Sequence, residues 1–234
     1  MGEAALFAIV ASSALVAGAF IGVRWMPPLS VLGVLLAFAS GALTAAMAFE
    51  LFEESFTTGG HVLSGVGFAA GAVVFVAVDV VLEQRQSQPG ASRVGLALLA
   101  GVILDGIPEN LALGTTLAAS GGSFALLAAI FVSNFPEALV GARSMCENGR
   151  SVTFALSTWC GAAVVLAAAV IAGSLLLRGL DEQPLSVILA FAGGAVLASV
   201  ANTLFPKAYQ DGGPWVTLAT VAGFLVAFTL GSIE

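Results

Sequence analysis

The chain is short of charge, of imidazole and of thiol. Of its 234 residues only 9% are charged, seven Lys or Arg against 14 Asp or Glu, with one histidine (His61) and two cysteines (Cys146 and Cys160). A soluble domain carries about 25% charged residues to solvate its surface, so a soluble globule is excluded. Two cysteines exclude a disulfide scaffold, and a lone histidine excludes a histidine cluster. The net charge of -7 argues against nucleic acid as a partner. The segment Met1 to Glu3 has no basic residue to serve as the n-region of a cleaved signal peptide, so the first apolar stretch reads as a retained span. What the chain does have is hydrocarbon: 59% of its residues are hydrophobic and its mean hydropathy is +1.05. Its expected solvent is the lipid bilayer.

Runs of about 20 apolar residues cross a hydrocarbon core as helices, and eight can be counted, over 4–23, 29–52, 62–83, 93–119, 123–146, 151–177, 185–206 and 214–233. They are longer than the roughly 10-residue alternating strands of a membrane barrel. The expected fold is therefore an all-α polytopic membrane protein forming one transmembrane domain over 1–234. Sorting the basic residues by alternate connections places Arg24, Arg85, Arg93, Arg143, Arg150 and Lys207 on one side and Arg178 on the other. Basic residues accumulate on cytoplasmic loops, so both termini are expected outside, in the cell (plasma) membrane.

Displacing the sequence by 153 positions pairs Leu36–Ala37–Phe38–Ala39–Ser40–Gly41–Ala42 with Leu189–Ala190–Phe191–Ala192–Gly193–Gly194–Ala195, and Leu51–Phe52 with Leu204–Phe205. The second span then corresponds to the seventh. A displacement of five spans makes the copies cross in opposite directions, which predicts an inverted repeat of 4–83 and 151–233 around a central pair over 93–146, a 3+2+3 arrangement. Inverted repeats are a signature of secondary transporters, whose substrate sites lie near the midplane.

The central pair carries most of the deeply placed polar groups, as Asp105–Gly106–Ile107–Pro108–Glu109 in the fourth span and Ser133–Asn134–Phe135–Pro136–Glu137 in the fifth. Ionisable groups at mid-membrane mark functional sites. Asp105 and Glu109 are four residues apart and share a helix face, as do Ser133 and Glu137, while Asn134 lies three before Glu137. Pro108 and Pro136 each remove a backbone donor, releasing the carbonyls of Leu104 and Val132. Every one of these groups presents oxygen, with no basic side chain nearby to pair it. A divalent cation would offset the repulsion among Asp105, Glu109 and Glu137; protonated carboxyls bonding across the helix pair as packing contacts are the alternative.

At these residues the sequence resembles the Zrt/Irt-like (ZIP) family of divalent metal transporters, which has eight spans, outer termini and a His–Asn–x–Pro–Glu–Gly pattern on the fourth and fifth spans. The resemblance implies metal ligation by Asp105, Glu109 and Glu137, with Asn134 and Ser133 as secondary ligands. It implies Zn²⁺, Fe²⁺ or Mn²⁺ as substrate cation, no resident cofactor and no enzymatic activity; a homodimer is an assembly it allows. The chain departs from the pattern at Asp105 and Gly106, which stand where the family has histidine and asparagine, and at Ser133. Gly161 and Ala162 replace the glutamate and proline of the sixth span. Oxygen ligands favour harder ions than imidazole does, so the preference is expected to move toward Mn²⁺, Fe²⁺ or Mg²⁺.

Glu50 is read either as lining the path or as a solvated helix end, and Met47, three residues before it, as a thioether ligand or as packing. Cys160 and Asn202 are further candidates to line the path. His61 falls in an expected outer loop, and Asp79, Glu83 and Arg85 read as an interfacial charge network. The transport reading has two rivals: a transport-inactive relative serving as metal sensor or assembly partner, and an intramembrane hydrolase working with paired carboxylates.

Overall fold

A computed structural model describes residues 2–86, 94–119, 121–177 and 179–233; among the side chains it leaves aside 82, 83, 85, 86, 94–102 and 105. The described residues form eight continuous helical rods and no strand. We number them α1 (Gly2–Gly22), α2 (Leu29–Gly59), α3 (His61–Gln86), α4 (Val94–Ala119), α5 (Phe124–Glu147), α6 (Val152–Leu176), α7 (Glu182–Gly212) and α8 (Trp215–Gly231). Among the described residues six rods are long and apolar enough to cross a membrane: α1, α2, α3 as far as Val81, α5, α6 and α7. The shorter α8 is an apolar helix of 17 residues. The protein is membrane-embedded, because an apolar helix satisfies every backbone donor within itself and so tolerates hydrocarbon around it.

Two rods outrun their expected ends. α2 continues to Gly59 instead of stopping at 52, and α7 continues to Gly212 instead of 206, so Lys207 stands in a helix and not in a loop. The reason is local. Each rod passes through a π-helical segment, Met47–Glu53 in α2 and Val200–Leu204 in α7, and then resumes α-helical winding. The polar residues that looked like a loop keep to the helix: the hydroxyls of Thr57 and Thr58 both donate to the carbonyl of Glu54. Gly60 and Gly213 then end the two rods with φ of +77° and +63°, a left-handed backbone that glycine adopts without penalty.

These features recur at one interval. The π segments begin at residues 47 and 200, and the terminating glycines stand at 60 and 213, in each case 153 positions apart. The helix contacts recur as well. Gly41 of α2 lies against the carbonyl of Thr220 on α8 while Gly223 of α8 lies against that of Phe38; Gly194 of α7 lies against the carbonyl of Phe68 on α3 while Gly71 of α3 lies against that of Phe191. A Cβ at any of the four would strike backbone, so glycine is what lets these helices approach so closely.

The rods sort into two groups. α1, α4, α5 and α6 pack on one another, α1 along α5 and α4 along α6, while α2 packs along α8 and α3 along α7, with α2 against α7. α5 meets α2, and α4 meets α7, where the groups join. The exposed Trp25, Tyr209 and Trp215 lie at the α1 C-terminus, near the α7 C-terminus and at the α8 N-terminus. Amphipathic aromatics concentrate at membrane–water interfaces, so these residues mark one boundary of the apolar slab. Arg24 at the same end folds back to stack on Phe20, 3.6 Å from its centroid, and donates to the Phe20 carbonyl.

Candidate functional site

The apolar interior is divided into two clusters. The larger contains Ala8 and Ala11 of α1, Leu113 of α4 and Ile130 of α5, together with much of α2 and α7. The smaller contains Leu15 and Ala19 of α1, Ala138 and Met145 of α5, and Trp159 and Leu166 of α6. Between the two, along the chain of each helix, fall the polar residues: Ser12 on α1, Glu109 and Asn110 on α4, and Ser133, Asn134 and Glu137 on α5. Ser12, Glu109, Asn110, Ser133 and Asn134 are buried, and Glu137 is half-buried. A polar layer inside an apolar helical body is costly unless something there uses it.

Each helix positions its part of the layer by its winding. α4 and α5 run unbroken through Pro108 and Pro136, so the carbonyls of Leu104 and Val132 lack the α-helical donor that proline cannot supply. The hydroxyl of Ser133 donates to the carbonyl of Ile130 at 3.0 Å, and the side-chain amide of Asn110 donates to that of Gly106 at 2.8 Å. Among the described residues, three side-chain atoms of the layer have no hydrogen-bond partner: Ser12 Oγ, Asn110 Oδ1 and Asn134 Nδ2. An unsatisfied buried polar group costs about 1–3 kcal/mol, so three of them in one layer are groups that a water or an ion would satisfy.

Of the residues expected to ligate metal, Glu109, Ser133, Asn134 and Glu137 stand in this layer. Asp105 precedes Glu109 by four residues on α4, and its side chain lies outside the described ones. Among the described residues no three His, Cys, Asp or Glu side chains gather as a metal-binding group. The carboxylates available for comparison in the layer are Glu109 and Glu137.

The expected path residues are dispersed. Met47 is buried and faces Gly193 of α7, whereas the carboxylate of Glu50 lies against Gly231 of α8 near Ala125 of α5. The wider π turn breaks the face-sharing that three-residue spacing gives an α-helix. Glu50 and Glu53 border a cavity of about 360 Å³ between α2 and α8, with Phe49, Gly231 and Ser232. Asn202 is exposed, and its amide donates to the Asp79 carboxylate at 2.7 Å. Asp79 is therefore tied to α7; the side chains of Glu83 and Arg85, its expected partners, lie outside the described ones. Cys160 is an exposed free thiol, and Gly161 beside it faces open space. A ligand at 161 would point away from the layer, whereas the ring of Trp159 on α6 lies against Gly141, four residues beyond Glu137 on α5.

Ser12, Asn110 and Trp159 are the residues that reading the sequence left unassigned. Asn110 adjoins Glu109 and could have been marked by its polarity in an apolar run. Ser12 and Trp159 carry no such signal, since a serine or an indole in an apolar span reads as ordinary packing.

Comparison with known proteins leaves the site to its own geometry: no family model matches the chain, and no curated protein is found to resemble it.

Proposed function

We propose that the chain is a divalent metal cation transporter of eight spans in a 3+2+3 arrangement, a divergent relative of the ZIP family. Its site is the polar layer of α4 and α5. Glu109 and Glu137 are the principal ligands of that layer and Asp105 the third, with Asn134 and Ser133 completing an oxygen-rich shell for Mn²⁺, Fe²⁺ or Zn²⁺. The observation that carries this reading is the position of buried carboxylate, amide and hydroxyl groups between two apolar clusters. Carboxylate, amide and hydroxyl oxygens favour hard cations, and such a cation is the guest this donor set suits.

In alternating access the body bearing the layer moves against the other four helices. The two-group packing supports such a division, and the recurrence of the π segments and the terminating glycines at one interval, with matching glycine contacts in the two halves, supports two oppositely directed repeats, hence two related conformations. The excess of basic residues at one set of connections supports termini outside, and the plasma membrane is the location proposed. A transport-inactive sensor is the second reading, favoured by Gly161, which faces open space where the ZIP pattern has a sixth-span glutamate.

The test is uptake of Zn²⁺, Fe²⁺, Mn²⁺ and Mg²⁺ by sealed proteoliposomes containing the wild type, Glu109→Ala or Glu137→Ala. Accumulation by the wild type that either substitution abolishes is the expected result. Folded wild-type protein that accumulates none of the four ions refutes transport and leaves the sensor.

A further inference from the structure

Trp159 occupies a position that bears directly on the polar layer. The residue is fully buried, and its ring fills the place where a side chain at Gly141 would stand: a Cβ there would come within 3.0 Å of Cη2 and 3.2 Å of Cε2. Gly141 follows Glu137 by four residues and Asn134 by seven, so it continues their stripe on α5. The indole therefore lies across the stripe one helical turn beyond Glu137, on the side toward Glu147. It is part of the apolar cluster that walls off that end of the layer, with Leu15, Ala19, Ala138 and Met145.

The indole also bears an unmet need, because among the described residues Nε1 has no hydrogen-bond partner. Indole nitrogen is a donor only, so it cannot ligate a cation, and a phenyl ring would pack in the same cluster without the penalty of about 1–3 kcal/mol that an orphaned buried donor carries. The ring edge facing Gly141 includes Cε2, the carbon bonded to Nε1, so the N–H lies beside α5. A ring that is seated tightly yet left unsatisfied has something to gain by moving to where its N–H finds an acceptor. That property suits a barrier that must open.

We propose that Trp159 seals the polar layer toward the Glu147 end of α5 and that its displacement from Gly141 opens the cation's way out on that side. The proposal rests on the transport reading and adds the residue that separates the bound cation from one face of the membrane. A charged ion does not cross the Leu15–Met145 wall while the ring is seated, since burying an unpaired charge among apolar groups is prohibitive.

The chain has three tryptophans, so Trp25→Phe with Trp215→Phe leaves Trp159 as the sole tryptophan, excited selectively at the red edge of indole absorption. Mn²⁺ is a paramagnetic quencher. It should quench this emission with the same midpoint as Mn²⁺ binding followed by equilibrium dialysis, and Glu137→Gln should abolish both. Mn²⁺ binding without quenching overturns the assignment of Trp159 and leaves the transport reading standing; a folded wild type that binds none of Mn²⁺, Fe²⁺ and Zn²⁺ overturns both. In proteoliposomes preloaded with Mn²⁺, Trp159→Ala should raise efflux about tenfold, equivalent to lowering the barrier by about 1.4 kcal/mol, while Trp159→Phe, which keeps a ring but loses the N–H that gains an acceptor on displacement, should hold efflux below wild type. Equal efflux from Trp159→Ala and wild type refutes the seal. Should Trp159→Ala fail to fold, the quenching measurement on the intact ring decides.

Discussion

The side-chain amide of Asn202 on α7 donates a 2.7 Å hydrogen bond to the carboxylate of Asp79 on α3, joining residues 123 positions apart. Asn202 sits inside the π segment Val200–Leu204, so the bond fastens the place where α7 changes its winding to the helix beside it. Asn202→Ala is expected to lower stability by about 0.5–1.5 kcal/mol, the net worth of such a bond. Asn202→Asp sets two carboxylates against each other and should cost more. Thermal unfolding in detergent measures both, and an Asn202→Asp protein as stable as wild type would sink the account.

The glycine contacts separate two kinds of Gly→Ala substitution. At Gly41 an added Cβ meets the carbonyl of Thr220, so overpacking should cost about 1–3 kcal/mol. At Gly161, in the interior of α6, a Cβ meets nothing within 4 Å, and alanine should gain about 0.5–1 kcal/mol by restricting the unfolded backbone. Melting temperatures of opposite sign relative to wild type are expected. Equal shifts would mean that close approach is not what keeps glycine at 41.

Asn110 should trade stability against transport. Among the described residues its buried Oδ1 has no partner, so Asn110→Leu, which keeps the branching at Cγ, removes an orphan and is expected to raise stability by about 1 kcal/mol while lowering Mn²⁺ uptake. A destabilised Asn110→Leu protein would show instead that the bond from its amide to the Gly106 carbonyl dominates.

The pH dependence has a definite sign. A carboxylate must give up its proton to hold metal, so protons compete with cation at Glu109 and Glu137. Uptake measured at fixed Mn²⁺ should fall as pH is lowered, and the half-saturating concentration should rise. Uptake that grows steadily toward acid would count against this competition as the governing effect.

Much of this was legible in the residues because bilayer and water demand opposite compositions. The start of α6 was readable to within a residue, since Ser151 is both the polar break and the cap whose hydroxyl accepts from the amide of Phe154. Glu109, Ser133, Asn134 and Glu137 stood out as polar groups within apolar runs. Which way each helix faces was not legible. A helix apolar all round gives no sign of its buried side, so the exposure of Cys160 and the burial of Trp159, one residue apart, could not be told from their types. The π segments were hidden for a related reason: Met47–Glu53 has the same apolar character whether it winds in α or π. The role of Trp159 depends on Gly141, on another helix, a pairing that only the assembled bundle creates.

The close glycine contacts also bear on the order in which the protein can be assembled. α2 finds its partner in α8, and α3 finds its partner in α7, so each half of the chain completes the other and neither closes on itself. With synthesis at about 5–20 residues per second, the early helices wait on the order of ten to thirty seconds in the membrane before the late ones emerge. During that interval the bare faces at Gly41 and Gly71 are covered only by lipid or by the insertion machinery. A nascent chain halted after α3 therefore presents two unmet grooves, and quality control of this protein has a defined surface to recognise.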